Sequence, residues 1–169
     1  MGYNSFGQLG DETSIDKSSS IKIGEGYSFI AAGNYHSLGL KIDGTLFSWG
    51  YNYAGQVGDG TNIHRNSPIM IITDCASAKA GMHSLALKTD GTLLAWGYNN
   101  DGQLGVGSQM DELTPTKIGT DFIAIAAGGY HSLGMKKDGS LWAWGNNQDG
   151  QLGDGSTVNK NIPTKIEFK

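Results

Sequence analysis

Apolar and polar positions alternate with a period of two along this chain, and the alternation recurs. In Leu141-Trp142-Ala143-Trp144 one face carries Leu141 and Ala143 and the other Trp142 and Trp144; Leu46-Phe47-Ser48-Trp49 and Leu93-Leu94-Ala95-Trp96 repeat it. The run before each alternates likewise, with Leu38 and Leu40, Leu85 and Leu87, Leu133 and Met135 on one face and Gly39, Ala86 and Gly134 between them. Period two belongs to a strand, and a small residue between large ones is what close packing of sheets face to face requires. Asp43-Gly44, Asp90-Gly91 or Asp138-Gly139 separates the two runs, a strong hairpin signal. Two further strands complete each unit: one leading into Ala-x-Gly, and a shorter one near Pro68, Pro115 and Pro163, where a residue without an N–H suits a sheet edge. No helical periodicity is found. The predicted class is all-β, with four antiparallel strands per unit forming a propeller blade.

The units keep a tight phase. Gln8, Gln56, Gln103 and Gln151 are spaced by 48, 47 and 48 residues, and Trp49, Trp96 and Trp144 by 47 and 48. A fixed period in this range marks a repeat architecture in which each unit needs its neighbours to bury its apolar face. We divide the chain, read as one repeat domain over 1–169, into units 1–48, 49–95 and 96–143 and a partial unit 144–169, about three and a half repeats. The second repeat is one residue short between Gly81 and His83, and its segment from Cys75 to His83 is the least regular.

Composition narrows the reading. Glycine makes up 27 of 169 residues and sits at fixed repeat positions, which distinguishes the chain from a disordered linker. Net charge is −4 and the basic residues are scattered, so no stripe is available to neutralise phosphates and nucleic acid is not an expected partner. Cys75 is the one cysteine; it aligns with Tyr27 and Phe122 and reads as a small core residue. No signal peptide, lipidation motif or membrane span is read from the sequence. High Gly and Asn with low charge predicts a soluble protein of bacterial, exported origin.

The recurring string AAGxxHSLxLxxDGxLWxWGxNxxGQLGDG resembles the repeat of the regulator of chromosome condensation family, and the resemblance covers essentially all of residues 1–169. It implies seven-bladed β-propellers. The pattern departs at Met1 in place of Trp, Glu12 in place of Gly, Ser20 in place of Pro, and Lys79 in place of Ala. Three and a half repeats do not make such a ring alone, so we expect self-association through the terminal half-repeat, whose exposed edge invites pairing. Two family precedents are implied: exchange factors for a small GTPase, and bacterial inhibitors of β-lactamases. The exchange factors use an inserted wedge, and no insertion occurs here from Gln8 to Trp144.

Candidate chemistry is mostly structural. His36, His83 and His131 recur on neighbouring blades roughly 10 Å apart, too far to share a zinc ion that needs each nitrogen at about 2 Å; each is expected to satisfy a backbone group or its own blade's turn. The pairs His36-Ser37, His83-Ser84 and His131-Ser132 place their side chains on opposite faces, which speaks against a nucleophile and base. GQVGDG and its relatives lack the Lys-Ser/Thr of a phosphate loop and read as turns in which Gln8, Gln56, Gln103 and Gln151 bond backbone. Asp59 and Asp154 with Thr61 and Thr157 do not have the spacing of a calcium loop. Trp49, Trp96 and Trp144 are expected between blades, each indole finding a carbonyl. His64, outside the pattern, reads as surface. No catalytic group, metal or cofactor is expected, and the chain is read as a non-enzyme.

What varies while the frame does not is the loop after each Trp-Gly: Tyr3 and Phe6, Tyr51 and Tyr53, Tyr98 and Asn100, Asn146 and Gln148. Tyr35, Met82 and Tyr130 precede the histidines. Tyr- and Asn-rich loops on a rigid sheet have the composition of a protein-recognition surface. The leading expectation is a β-propeller interaction scaffold whose rim loops contact a protein partner. Aromatic turns without a partner, a self-assembling repeat fragment and a regulator of a small GTPase stay open as alternatives.

Overall fold

The structure, a computed structural model, describes residues 1–167; the end of the unit read over 144–169 lies outside the described residues. Among the described residues, twelve strands form three four-stranded antiparallel meanders, each a propeller blade. The first holds β1 (Tyr27–Ala32), β2 (His36–Lys41), β3 (Leu46–Gly50) and β4 (Arg65–Ile72). The second holds β5 (Cys75–Ala80), β6 (His83–Lys88), β7 (Leu93–Gly97) and β8 (Glu112–Gly119), and the third β9 (Phe122–Ala127), β10 (His131–Lys136), β11 (Leu141–Gly145) and β12 (Lys160–Lys165). Among the described residues no helix is long and apolar enough to cross a membrane.

The β2–β3 connection shows why Asp-Gly recurs. Gly44 donates its N–H to the Lys41 carbonyl at 3.0 Å, Lys41 N–H bonds the Thr45 carbonyl at 2.9 Å, and Gly44 sits at φ 82°. That is a type I turn closed by a glycine bulge, held by Asp43 Oδ1 accepting the Thr45 N–H at 2.9 Å.

Two expectations are corrected. The proline strand is not the short one: it is the longest of the first two blades, eight residues in β4 and β8, because it carries a bulge: Ser48 faces Ile69 but Gly50 faces Arg65, leaving Asn66, Ser67 and Pro68 opposite Trp49 alone. A residue without an N–H is tolerated in a bulge on an edge strand. The incomplete unit is also at the other end. Residues 144–165 complete the third sheet through β11 and β12, while residues 1–26 form a lone half whose ladder is a single bridge between Gly2 and Lys17.

The blades stack so that each first strand packs on the face of the blade before it. Leu38, Leu40 and Leu46 meet Cys75, Ala78 and Trp96; Leu85, Leu87 and Leu93 meet Phe122, Ile125 and Trp144. Within a blade, a ring at the head of the first strand lies across the second. A Cβ added to Gly39 would stand 2.6 Å from the Tyr27 ring, and one added to Gly134 2.6 Å from the Phe122 ring. The second blade has Cys75 where the others carry a ring, and there Ala86 replaces the glycine. Cys75 and Ala86 are buried in the same cluster, so the smaller side chain at one position goes with the larger one at the other, which accounts for one irregularity of this repeat. Burial pushes the Cys75 thiol up to about 11, which keeps it protonated. The missing residue is absorbed by the turn between Ala80 and His83, and Ala80 pairs with Ser84 as Ala32 does with Ser37. Lys79, the third irregularity, stretches across the interface to place its Nζ 4.7 Å from the Phe29 ring.

A polar relay crosses each interface. Gln56, in the loop after β3, lends its backbone carbonyl to Trp96 Nε1–H at 2.9 Å and to Ser84 Oγ–H at 2.9 Å, both of the next blade. Since the Ser84 proton is committed to that carbonyl, its oxygen accepts from His36 Nε2–H at 2.8 Å, which places the imidazole proton on Nε2. His83, Ser132 and Gln103 repeat the chain at 2.6 and 2.8 Å. Gln8 serves Trp49 at 2.9 Å and Ser37 at 2.8 Å. His36 and His83 thus bond a serine of the following blade, not a backbone group or their own turn as the sequence suggests. Adjacent His and Ser do point apart; the partner comes from a repeat away. The Trp144 indole N–H and His83 Nδ1 have no partner among the described residues.

Two measurements test this packing. Gly134→Ala is expected to destabilise by about 1–3 kcal/mol through overpacking, and Cys75→Phe to destabilise alone yet recover when combined with Ala86→Gly; chemical denaturation of the four-variant cycle reads the coupling. The second concerns pH. Burial drives His36 down to about 4 and His83 to about 3, the latter helped by the neighbouring His36 and His131. Each folded-state value lies below the unfolded value, so the unfolded chain binds protons first: stability is intact above about pH 6.5 and falls as pH drops toward 4. The loss is on the order of 3 kcal/mol per imidazole, and urea midpoints between pH 7.5 and 4.5 should fall less steeply in His83→Asn.

Candidate interaction rim

One end of the blade stack is built from the turns between first and second strands and the loops after the third. Backbone bonds tie the two sets together: Tyr51 N–H to the Tyr35 carbonyl at 2.9 Å and Asn146 N–H to the Tyr130 carbonyl at 2.8 Å. Turns of successive blades are also tied, by Asn34 N–H to the Gly81 carbonyl at 3.0 Å and Met82 N–H to the Gly129 carbonyl at 3.1 Å.

Each loop is organised by a buried asparagine that the sequence reading missed. Asn52 Oδ1 accepts the Val57 N–H at 2.8 Å, while its Nδ2 donates to Asp59 Oδ1, the Thr61 carbonyl and the Ile63 carbonyl, each at 3.0 Å. Asn4, Asn99 and Asn147 do the same work in their loops. The signal was present, since Asn4, Asn52, Asn99 and Asn147 keep the repeat phase of 48, 47 and 48. The glutamines add a second tie: Gln56 Oε1 accepts the Ala54 N–H at 3.0 Å. Asp59 is held below the usual carboxylate range by bonds from Thr61, Arg65 and Asn52, which outweigh its burial. At Asp154 the hydroxyl partner is Ser156, at 2.8 Å, and not Thr157.

On this frame the aromatic residues converge. Phe6 lies at 5.9 Å from Tyr3, 5.7 Å from Tyr35, 4.9 Å from Tyr51 and 5.1 Å from His64, centroid to centroid, every ring steeply inclined to it. Tyr53 closes on Tyr51 at 5.5 Å and on His64 at 4.8 Å, and His64 stacks on Tyr51 at 5.0 Å with 26° between planes. His64, which the sequence alone places on the surface outside the repeat pattern, is a member of the cluster; its Nδ1 accepts the Asn52 N–H at 3.0 Å, which fixes the neutral ring, and burial lowers its pKa. Burial, together with the neighbouring Tyr53 and Tyr35, raises the Tyr51 phenol. Tyr3 and Tyr53 keep 51% and 67% of their surface exposed, so the cluster faces solvent.

The other rim residues lie apart from it. Tyr98 pairs with Tyr130 at 6.2 Å. Asn146 donates to Asp101 Oδ1 at 3.1 Å and accepts from Gln151 Nε2 at 2.6 Å, Gln148 N–H bonds Asn146 at 3.3 Å, and Asn100 is exposed. The rim therefore runs from an aromatic half over the first blade to a polar half over the third. Trp49, Trp96 and Trp144 stay buried between blades and take no part in it. Among the described residues no group of three His, Cys, Asp or Glu is placed to hold a metal ion.

This geometry finds counterparts among known proteins. A comparison with curated proteins returns no match. Among solved structures, Prp20p from Saccharomyces cerevisiae superposes with a TM-score of 0.78 at 26% identity over 85% of this chain and 39% of its own length. Yeast RCC1 (Prp20) bound by Kap60 gives the same score and identity over 85% of this chain and 37% of that one. Human WBSCR16 matches at 21% identity and a TM-score of 0.56, over 99% of this chain and 62% of that one, a likeness of fold alone. The chain thus spans about two fifths of the yeast relative it matches. The family model of the regulator of chromosome condensation (RCC1) repeat matches residues 43–87, 90–135 and 138–169, and a second model of the same repeat matches 27–56 and 122–151. The chain belongs to the regulator of chromosome condensation (RCC1) repeat family.

Proposed function

We propose that this chain is a non-enzymatic protein-interaction scaffold whose aromatic rim contacts a protein partner. The observation that carries the reading is the convergence of Tyr3, Phe6, Tyr35, Tyr51, Tyr53 and His64 on one exposed surface. Rigid aromatic side chains supply contact area at low conformational cost, and here a hydrogen-bonded loop frame holds them in place. Prp20p, studied for its binding properties to Gsp1p and histones, supports protein binding by such a fold. A catalytic role finds no support: the hydroxyls of Ser84 and Ser132 are committed to glutamine carbonyls and their histidines are neutral and buried. A GTPase-regulator role is the weaker reading, since no inserted segment interrupts the repeats between Gln8 and Trp144. The triple variant Tyr3→Ser, Tyr53→Ser, Tyr98→Ser should lose a cross-linked or co-purified partner while its melting temperature moves by no more than a few degrees; retention of the partner at wild-type yield refutes the rim.

A second reading, self-association, has its own observation. Leu38 and Leu85 are 1% and 0% exposed beneath the next blade, but on the third blade Met135 is 39% exposed and Leu133 and Leu141 line an open apolar concavity with Ala124 and Ala126. The opposite end presents Ile30, 73% exposed, which corresponds to Ile125 in the second interface. What is exposed is thus an apolar face at each end. A second copy would fit head to tail with its Ile30 on Leu133 and Met135. Residues 1–24, which resemble 144–167 and already hold Trp49, would have to give way to that neighbour's last loop. Light scattering should show a mass rising with concentration, abolished by Met135→Glu; a mass of one chain at every concentration rejects this reading.

A further inference from the structure

The aromatic half of the rim encloses a concavity lined by Tyr3, Phe6, Tyr35, Tyr51 and Met82. Its shape follows from the irregular second repeat. Tyr35 and Tyr130 precede the histidines of the first and third blades, but the shortened turn of the second puts Met82 there and supplies no ring. A gap is left beside Tyr35, with the flexible Met82 thioether in its lining.

The rings around this gap form walls. Tyr3, Tyr35 and Tyr51 stand at 77°, 80° and 74° to Phe6, so none of them stacks flat on it. The face of an aromatic ring is its negative pole and attracts a cation. Elsewhere this chain uses that attraction internally: Lys41 lies 5.6 Å from Tyr27 and 5.2 Å from Phe47, Lys79 4.7 Å from Phe29, and Lys136 5.0 Å from Phe122 and 4.4 Å from Trp142. Among the described residues no lysine or arginine stands over a ring of the rim cluster. Arg65, next to His64, is drawn away by Asp59, to which its Nε donates at 2.6 Å. His64 itself is neutral, its Nδ1 accepting a backbone N–H, so nothing in the cluster repels a positive charge.

We propose that this concavity is an aromatic cage for a lysine-type ammonium group, free or methylated, on the protein partner. The inference rests on the rim reading above and names the chemistry the rim selects. Three inclined rings suit a compact, rounded cation, and the Met82 thioether accommodates the alkyl stem. The net charge of −4 favours approach of a basic segment.

The test uses the full chain and two small probes, N-acetyl-trimethyllysine amide and its neutral isostere with carbon in place of the ammonium nitrogen. Aromatic proton shifts in NMR titrations report binding at the cage. We expect the cation to shift the Tyr35 and Tyr51 resonances saturably and the isostere to bind at least about fivefold more weakly. Tyr35→Leu should abolish the preference for the cation, as should Tyr3→Leu at the exposed wall should the first variant fold poorly, while Tyr98→Leu, outside the cage, should retain it. Equal binding of cation and isostere, or no saturable shift at millimolar probe, overturns the proposal. Partner capture by the Tyr3, Tyr53, Tyr98 serine variant then reports on the rim reading separately, because that assay does not depend on the charge of any ligand.

Discussion

The structure depends on a backbone carbonyl. Gln56 and Gln103 sit in loops of one blade, and their carbonyls accept protons from the blade after it; with Gln8, each pins a serine of the next sheet, and Gln8 and Gln56 also hold its tryptophan. A carbonyl has two lone pairs, and using both in a buried interface leaves no freedom in how two sheets rotate or slide. The imidazoles of His36 and His83 extend the same chain one bond further back. Hydrophobic contact between sheets is non-directional; the relay supplies the direction, and the same stacking is copied from blade to blade.

This constraint explains the division of labour between frame and loop. Asn52 and its equivalents absorb the loop's own polar groups, so the main chain after each Trp-Gly holds its shape without help from the residues between. Those residues are free to differ, and over the first blade they are aromatic while over the third they are amide and acid. A recognition surface can thus change without disturbing the interfaces beneath it. The second blade shows how much change the frame absorbs: Cys75 with Ala86 substitutes for a ring with glycine, and a shortened turn leaves β5 and β6 in register.

Much of this was legible in the chain because repetition makes a pattern visible three or four times over. The strand alternation, the Asp-Gly hairpins and the phase of Trp, His and Gln gave the all-β class and the blade, since each arises from a local rule of period or turn geometry. Other elements depended on what lies one repeat away. The sequence assigns the histidines to a backbone group or to their own blade's turn, because a strand's alternation tells which way a side chain points but not what it meets. The asparagines keep the repeat phase yet do not declare their role, because a buried polar residue is recognised by its partners, and these lie 5 to 11 residues on in a loop without periodicity.

By itself the sequence determined that this is a β-sheet repeat, where its units recur, and that its variable positions follow each Trp-Gly. Only the tertiary structure decided that Phe6, Tyr35, Tyr51 and His64 share one surface, that Met82 lines a gap beside them, and that the histidine of one blade bonds the serine of the next. The physical reason is that local periodicity constrains a residue's direction within its own sheet. Which rings and hydroxyls meet is set by the rotation and spacing of stacked blades, and those follow from packing the interface.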